Sequence, residues 1–228
     1  MHDIAVNPQQ VNNLRTAGGK EVKGGFKKRS KRVTKNTPNE KWVLFYANAR
    51  GLNSKKLSLL DIFGELNPEI ALFTETMLKS SGGFSHEGYT FFGKSRKKKA
   101  CGGVGILVRN DCKPYLTPHE TDGEIELIWV SLKRGNMKPI FIGVYYGKQE
   151  TRNNRDEMLN EMHVLSTEIH DKLNDGEVLL LMDGNGKIGL LGEDVSRNGA
   201  LLNDVFQECE LNVLNRSPKC QGKVTRVD

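Results

Sequence analysis

The sequence predicts a mixed α/β domain behind a basic tail, and three observations carry that prediction. A strand, an amphipathic helix and a second strand follow one another between Trp42 and Thr74. Extended, glycine-punctuated pieces follow Gly88, and a long helix then leads straight into the apolar run at residues 178–182. Helical and extended periods that alternate in this way describe sheets covered by helices. A length of 228 residues is enough for one substantial core.

Residues 1–40 are polar, rich in Asn, Gly and Lys and without an apolar period; such a segment cannot bury a core and is expected to be disordered. They hold nine Lys or Arg against Asp3, Glu21 and Glu40, so the net charge of +6 belongs to the tail, and residues 41–228 balance at 25 charges of each sign. The pI near 9.1 is thus a property of the tail, and any attraction of phosphate by the body must come from local patches. Lys27, Lys28, Arg29, Lys31 and Arg32 form a dense basic cluster that reads as a nuclear address, a nucleic-acid contact or a merely solvated stretch.

Residues 42–47, β-rich and aromatic, form the first strand and run out at Asn48-Ala49-Arg50-Gly51-Leu52. Ser54 is placed to cap a helix in which Leu59, Leu60, Phe63 and Leu66 share one face, until Asn67-Pro68 stops it. A second buried strand spans 69–74 and ends at Glu75-Thr76. Residues 89–92 and 102–108 are extended, with Lys94, Arg96, Lys97, Lys98 and Lys99 between them. Those five cations are a solvated hairpin tip or a clamp on a phosphate backbone, and the neutral body favours the clamp. Strands at 125–132 and 140–146 follow, the second closing on Tyr145-Tyr146. A helix over 151–173 turns Met158, Met162, Leu165, Ile169 and Leu173 inward. His163 and His170 share a face two turns apart, but with no carboxylate cluster at matching spacing they are expected to be satisfied or solvent-facing. After the strand at 178–182 come a helix over 198–208 and a short strand at 212–214.

The strand at 178–182 breaks abruptly into Asp183-Gly184-Asn185-Gly186. The two-residue period of a strand predicts that Asp183 and Asn185 point the same way past its carboxyl end. An Asp and an Asn at the mouth of a sheet hold a hard cation or an anionic oxygen, although the same residues also close a strand as a plain Asx turn. Asn48, Glu75 and Tyr145 stand at the ends of their own strands, and groups drawn from one edge of several strands converge in space.

The ordered set Asn48-Ala-Arg-Gly-Leu52, Phe73-Thr-Glu-Thr76, Gly102-Gly-Val-Gly-Ile-Leu-Val108, Gly143-Val-Tyr-Tyr146, Met182-Asp-Gly-Asn-Gly-Lys-Ile-Gly189, Leu211-Asn-Val-Leu-Asn215 and Val224-Thr-Arg226 resembles the endonuclease/exonuclease/phosphatase superfamily. Within it the resemblance is strongest to the apurinic-type endonuclease domain of non-LTR retrotransposons, and it covers residues 41–228. It implies a DNase I-like, four-layered α/β sandwich of two mixed β-sheets flanked by helices. It also implies cleavage of DNA phosphodiesters with Mg²⁺, or Mn²⁺ in its place, and a downstream reverse transcriptase in a full-length parent.

By motif, Glu75 resembles the metal-binding glutamate and Asn48 the asparagine that helps position metal and phosphate. Tyr145 resembles the tyrosine on the scissile phosphate, and Asp183 and Asn185 the pair that orients water and stabilises the transition state. Thr225 resembles the threonine that begins the strand before the final motifs, and it joins Lys94, Arg96, Lys97, Lys98 and Lys99 in the set expected at nucleic acid. The chemistry suits these residues: hydrolysis of a phosphodiester loads negative charge onto non-bridging and leaving oxygens, which calls for a cation, neutral donors and one carboxylate to orient water.

The family's closing Ser-x-x-Asp-type strand and Asp-His pair have no counterpart, since no histidine follows His170 and Asp228 comes too early for the Asp. The expectation is a domain lacking its last strands, weak or inactive as written, with little or no turnover, since a missing general base costs roughly 10²- to 10⁴-fold or more. A non-catalytic nucleic-acid-binding remnant, or a phosphatase of the same superfamily, are the competing readings. Cysteines 101, 112, 209 and 220 form no C-x-x-C pair and are expected to be reduced thiols. With no apolar run long enough to cross a bilayer and no apolar signal core, nucleus or cytoplasm is expected and a membrane partner is not.

Overall fold

The computed structural model describes residues 42–96, 101–189 and 193–216. The tail, Lys97, Lys98, Lys99, Cys220 and Thr225 lie outside the described residues. Among the described residues, eight strands form two four-stranded mixed sheets, β1 (Leu44–Asn48), β2 (Ile70–Thr74), β4 (Val104–Arg109) and β3 (Tyr89–Lys94) in that spatial order, then β5 (Leu116–Glu120), β6 (Glu126–Arg134), β7 (Met137–Tyr146) and β8 (Glu177–Asp183). β1 with β2, and β7 with β8, are the parallel pairs, and the other ladders are antiparallel. Helix α1 (Lys56–Leu66) makes the β1–β2 crossover, and α2 (Arg155–Asp175) the β7–β8 crossover, with α3 (Arg197–Glu208) beside α2.

Three apolar clusters define the layers. Ile70, Leu72, Ile106 and Val108 of the first sheet meet Ile128, Val130, Ile142 and Val144 of the second in a layer between the sheets. The opposite faces of the same strands pack outward, Phe45, Ala71, Phe73 and Leu107 against Leu59 and Phe63 of α1. Leu127, Trp129 and Phe141 pack against Met162, Leu165 and Ile169 of α2 and Leu202 and Val205 of α3. Strands buried on both faces explain why β2 reads as an unbroken apolar run. The result is an α/β sandwich of two sheets flanked by helices.

The elements sit within a few residues of their expected positions, with four differences. β5 is an addition: Leu116-Thr-Pro-His-Glu120 has no clean alternation, and its proline is tolerated because β5 lies at a sheet edge. The strand expected at 212–214 is absent. Glu210 adopts φ 52, the Leu211 amide returns to the Phe206 carbonyl at 2.8 Å, and the chain folds onto α3 before a 3₁₀ turn at Leu214–Arg216. Ser54 does not cap α1; it lies in a 3₁₀ turn, Leu52–Lys55, and its hydroxyl donates to the Gly51 carbonyl at 2.7 Å. α2 begins at Arg155 instead of near 151, because Asn154 Oδ1 accepts the Thr151 amide at 2.9 Å and holds residues 151–154 in a turn. Asn67 ends α1 as expected, in the left-handed conformation with its amide on the Phe63 carbonyl.

Candidate active site

The carboxyl ends of β1, β2, β7 and β8 gather at one rim, where polar residues take over from the inter-sheet layer. Asn48 closes β1, and its Nδ2 donates to Glu75 Oε1 and to Asp183 Oδ2, both at 2.8 Å. Glu75 follows directly on β2 of the first sheet and Asp183 closes β8 of the second, so this one carboxamide ties the rims of the two sheets together. The Tyr146 hydroxyl donates to Glu75 Oε1 at 3.2 Å and shares a hydrogen bond with the Asn185 side chain. The Asn185 amide donates to Asp183 Oδ1 at 3.2 Å, closing an Asx turn, while its Nδ2 donates to the Gly147 carbonyl at 2.7 Å. Five side chains spread over 138 positions of sequence, from Asn48 to Asn185, thus form one hydrogen-bonded cluster.

Backbone strain collects at the same rim. Arg50 (φ 44), Glu75 (φ 50), Met77 (φ 52) and Asn185 (φ 48) are left-handed without being glycine. Each such residue costs about 1–3 kcal/mol and persists only where its surroundings over-determine it. Here the surroundings are bonds between rim loops: Gly51 N to Glu75 O at 2.9 Å, Leu52 N to Thr76 O at 2.9 Å, Thr76 N to Gly103 O at 3.1 Å and Met77 N to Gly102 O at 2.8 Å. Glu75 is thereby aimed into the rim by its own backbone.

Of the residues read from sequence, Asn48, Glu75, Asp183 and Asn185 are brought together, and Tyr145 is not. Tyr145 is fully buried under α2, where its hydroxyl donates to Glu161 Oε1 at 2.8 Å, and the rim position belongs to Tyr146. The register gives the reason: Tyr146 is the parallel ladder partner of Asp183 and shares its face, whereas Tyr145 pairs with Met182 on the helix side. Burial, together with the nearby Glu75 and Asp183 charges and against the Asn185 hydrogen bond, holds the Tyr146 hydroxyl above its ordinary pKa, so it is a protonated donor at neutral pH.

Two of the five cations between β3 and β4, Lys94 and Arg96, depart from their expected role; the other three lie outside the described residues. Lys94 turns inward, with Nζ donating to the Thr121 carbonyl at 2.8 Å and to its hydroxyl at 3.2 Å. Arg96 pairs through Nε with the buried Glu126, which also accepts the Gly103 amide, and its guanidinium lies 5.7 Å from the centre of the Tyr146 ring. Burial raises the Glu126 pKa, against the pull of Gly103 and Arg96. These two cations therefore build a wall of the site and do not reach outward as a clamp. A buried carboxylate has to be neutralised locally, and that need outweighs solvation of the Arg96 side chain.

The donor set fits a hard cation. Glu75 Oε1 takes both hydrogen bonds, which leaves Oε2 outside them, and the Asp183 carboxylate lies no more than twice 2.8 Å away through Asn48 Nδ2. The described residues contain no group of three or more His, Cys, Asp or Glu arranged to hold a metal. One or two carboxylates with the remaining positions left to water is how Mg²⁺ is ordinarily held. Asn48 presents Nδ2 and not its oxygen to the carboxylates, while Oδ1 accepts the Arg50 amide at 3.2 Å; it acts here as a donor between two charges and not as an oxygen ligand.

No protein-family profile and no curated protein matches the sequence. Solved structures do match. The catalytic domain of Xenopus laevis APE2 aligns with TM-score 0.54 and 15% identity over 71% of this chain and 66% of its own. The 3′-5′ exonuclease NExo from Neisseria meningitidis aligns with TM-score 0.54 and 13% identity over 72% of this chain and 70% of its own. The fold is a DNase I-like α/β sandwich. A humanized D. rerio TDP2 aligns at TM-score 0.45 and 18% identity over 64% of this chain and 63% of its own. The chain spans less than two thirds of the TDP2 structure and of the APE2 domain.

Proposed function

We propose that the chain is a divalent-metal-dependent phosphodiesterase acting on DNA, the nicking endonuclease domain of a non-LTR retrotransposon. The observation that carries this reading is the cluster of Asn48, Glu75, Tyr146, Asp183 and Asn185 at the shared rim of two sheets. Support comes from the ordered motifs and from a fold also adopted by a 3′ phosphatase NExo from Neisseria bound to product DNA hairpin. A reverse transcriptase encoded downstream, and a nuclear address in the tail, complete the reading.

Glu75 would hold Mg²⁺, which when bound would neutralise charge developing on the phosphate oxygens, while Asn48 holds the Glu75 carboxylate in place as a donor. Asp183 is fixed at both oxygens, by Asn48 Nδ2 and the Asn185 amide, and keeps lone pairs to orient an attacking water. Tyr146 contributes a neutral O–H to a non-bridging oxygen, and its raised pKa keeps that proton in place. Asn185 sets the Tyr146 hydroxyl and ties the Asp183 turn to the Gly147 loop.

The test is nicking of supercoiled plasmid with Mg²⁺ by the chain and by Glu75→Gln. Conversion to open circle by the first, and a loss of about 10²-fold or more in the second, supports the reading. Plasmid binding without nicking in Mg²⁺ or Mn²⁺ would leave a nucleic-acid-binding remnant. Equal hydrolysis of a soluble phosphomonoester and of DNA would make it a phosphatase.

A further inference from the structure

We infer that Asn198, on the first turn of α3, is a positioning residue that pins the Asp183–Asn185 loop to the neighbouring Gly147–Lys148 loop. The inference rests on the reading of this rim as a hydrolytic site. Asn198 is 1% exposed, and its Nδ2 lies 2.6 Å from the Gly184 carbonyl, 3.1 Å from the Asn185 carbonyl and 3.4 Å from the Lys148 carbonyl. One NH₂ thus serves three carbonyls on two loops that are otherwise joined by Asn185 Nδ2 on Gly147 O and Gly147 N on Asp183 O. Its Oδ1 is buried with no hydrogen-bond partner among the described residues. A buried orphan acceptor is costly. An alanine would avoid that cost but would supply no donor, so the amide at this position answers to the carbonyls.

The surrounding contacts are built for close approach. Ser196 Oγ accepts the Lys187 amide at 3.0 Å and the Gly199 amide at 3.1 Å, and the Ser196 amide donates to the Lys187 carbonyl at 3.0 Å. A Cβ on Gly199 would stand 1.7 Å from the Lys187 carbonyl oxygen, and one on Gly186 would stand 2.7 Å from the Gly199 amide nitrogen. Helix and loop therefore touch backbone to backbone, and Asn198 reaches through that contact to the two residues that follow Asp183 in the turn. The side-chain bonds of Asn198 go to these loop carbonyls and not to Glu75 or Asn48, so its effect on chemistry passes through Asp183 and Asn185.

The prediction is separable into two readouts. In plasmid nicking with Mg²⁺, Asn198→Ala lowers kcat about 10²-fold, the size of effect expected from misplacing a catalytic group by an ångström, with KM for plasmid within about twofold. Asn198→Asp keeps the shape, faces three carbonyls with acceptors, and falls at least as far; it is also the variant to read if the alanine does not fold. Val205→Ala, a buried change further along α3, keeps kcat and so controls for loss of helix stability. In hydrogen exchange followed by mass spectrometry, Asn198→Ala loses protection at residues 147–148 and 183–187 before it loses any in β6 and β7. Unchanged kcat together with unchanged exchange in those loops would overturn the inference. If the parent chain does not nick at all, the nuclease reading falls alone and the exchange pattern decides the pin.

Discussion

The two adjacent tyrosines at the end of β7 give the sharpest test, because they face opposite sides of one strand. Tyr145→Phe removes a hydroxyl from a fully buried ring and from Glu161 Oε1, which then keeps only the Lys148 amide at 3.2 Å. A hydrogen bond to a charged acceptor contributes about 1.5–3 kcal/mol, and the vacated space adds little. In a chain of this size each kcal/mol moves Tm by roughly 2–4 °C, so the variant melts roughly 3–12 °C lower. Tyr146→Phe removes a donor that meets Glu75 at 3.2 Å on the rim, with a stability cost of about 1 kcal/mol. Its effect falls on turnover, by about 10²- to 10³-fold, the loss typical of removing one donor to developing charge. Thermal melts and plasmid nicking on the two variants should therefore dissociate in opposite directions. A Tyr145→Phe protein that loses turnover with its melting point intact, beside a fully active Tyr146→Phe, would refute the assignment of faces and with it the site.

Gly199→Ala should be at least about 3 kcal/mol less stable in urea titration, since a methyl 1.7 Å from the Lys187 oxygen forces α3 off the loop. Glu126 has a folded pKa above its ordinary value, chiefly through burial, so it contributes most to stability below about pH 4.5, and that contribution is lost as pH rises through the raised value. The difference between the urea midpoints of the parent and of Glu126→Gln should therefore shift against the parent over that interval, and a flat difference would count against the burial argument. Burial and the Asp111 contact push the Cys112 thiol up to about 12, and burial also raises Cys209. At pH 8 a thiol reagent should label the exposed Cys101 in the native protein and reach Cys112 and Cys209 only in urea, as peptide mapping would show.

Strong periodic segments are legible in the amino-acid sequence itself. The apolar faces of α1 and α2 and the unbroken runs of β2 and β8 declare themselves, and so does the habit of placing polar residues just past strand ends. Register is not written locally in the same way. Choosing Tyr146 over Tyr145 depends on which β7 residue lies beside Asp183, a pairing between segments 37 positions apart. The inward turn of Lys94 and Arg96 is equally hidden, because it answers to Thr121 and Glu126, which nothing in the hairpin announces. Asn198 reads as an ordinary residue near a helix start, and only the three carbonyls around it reveal its use. β5 escapes notice because an edge strand with a proline needs no alternation.

Since Glu75 stands on one sheet and Asp183 on the other, their spacing is set by how thickly the side chains between the sheets stack. Trimming a methylene from Leu72 or Ile142, deep in that filling and remote from any polar group, would let the halves settle closer. The gap between the two carboxylates, where the proposed metal and water would sit, would narrow with it. The greasy interior of this protein is in that sense the calliper of its reactive edge.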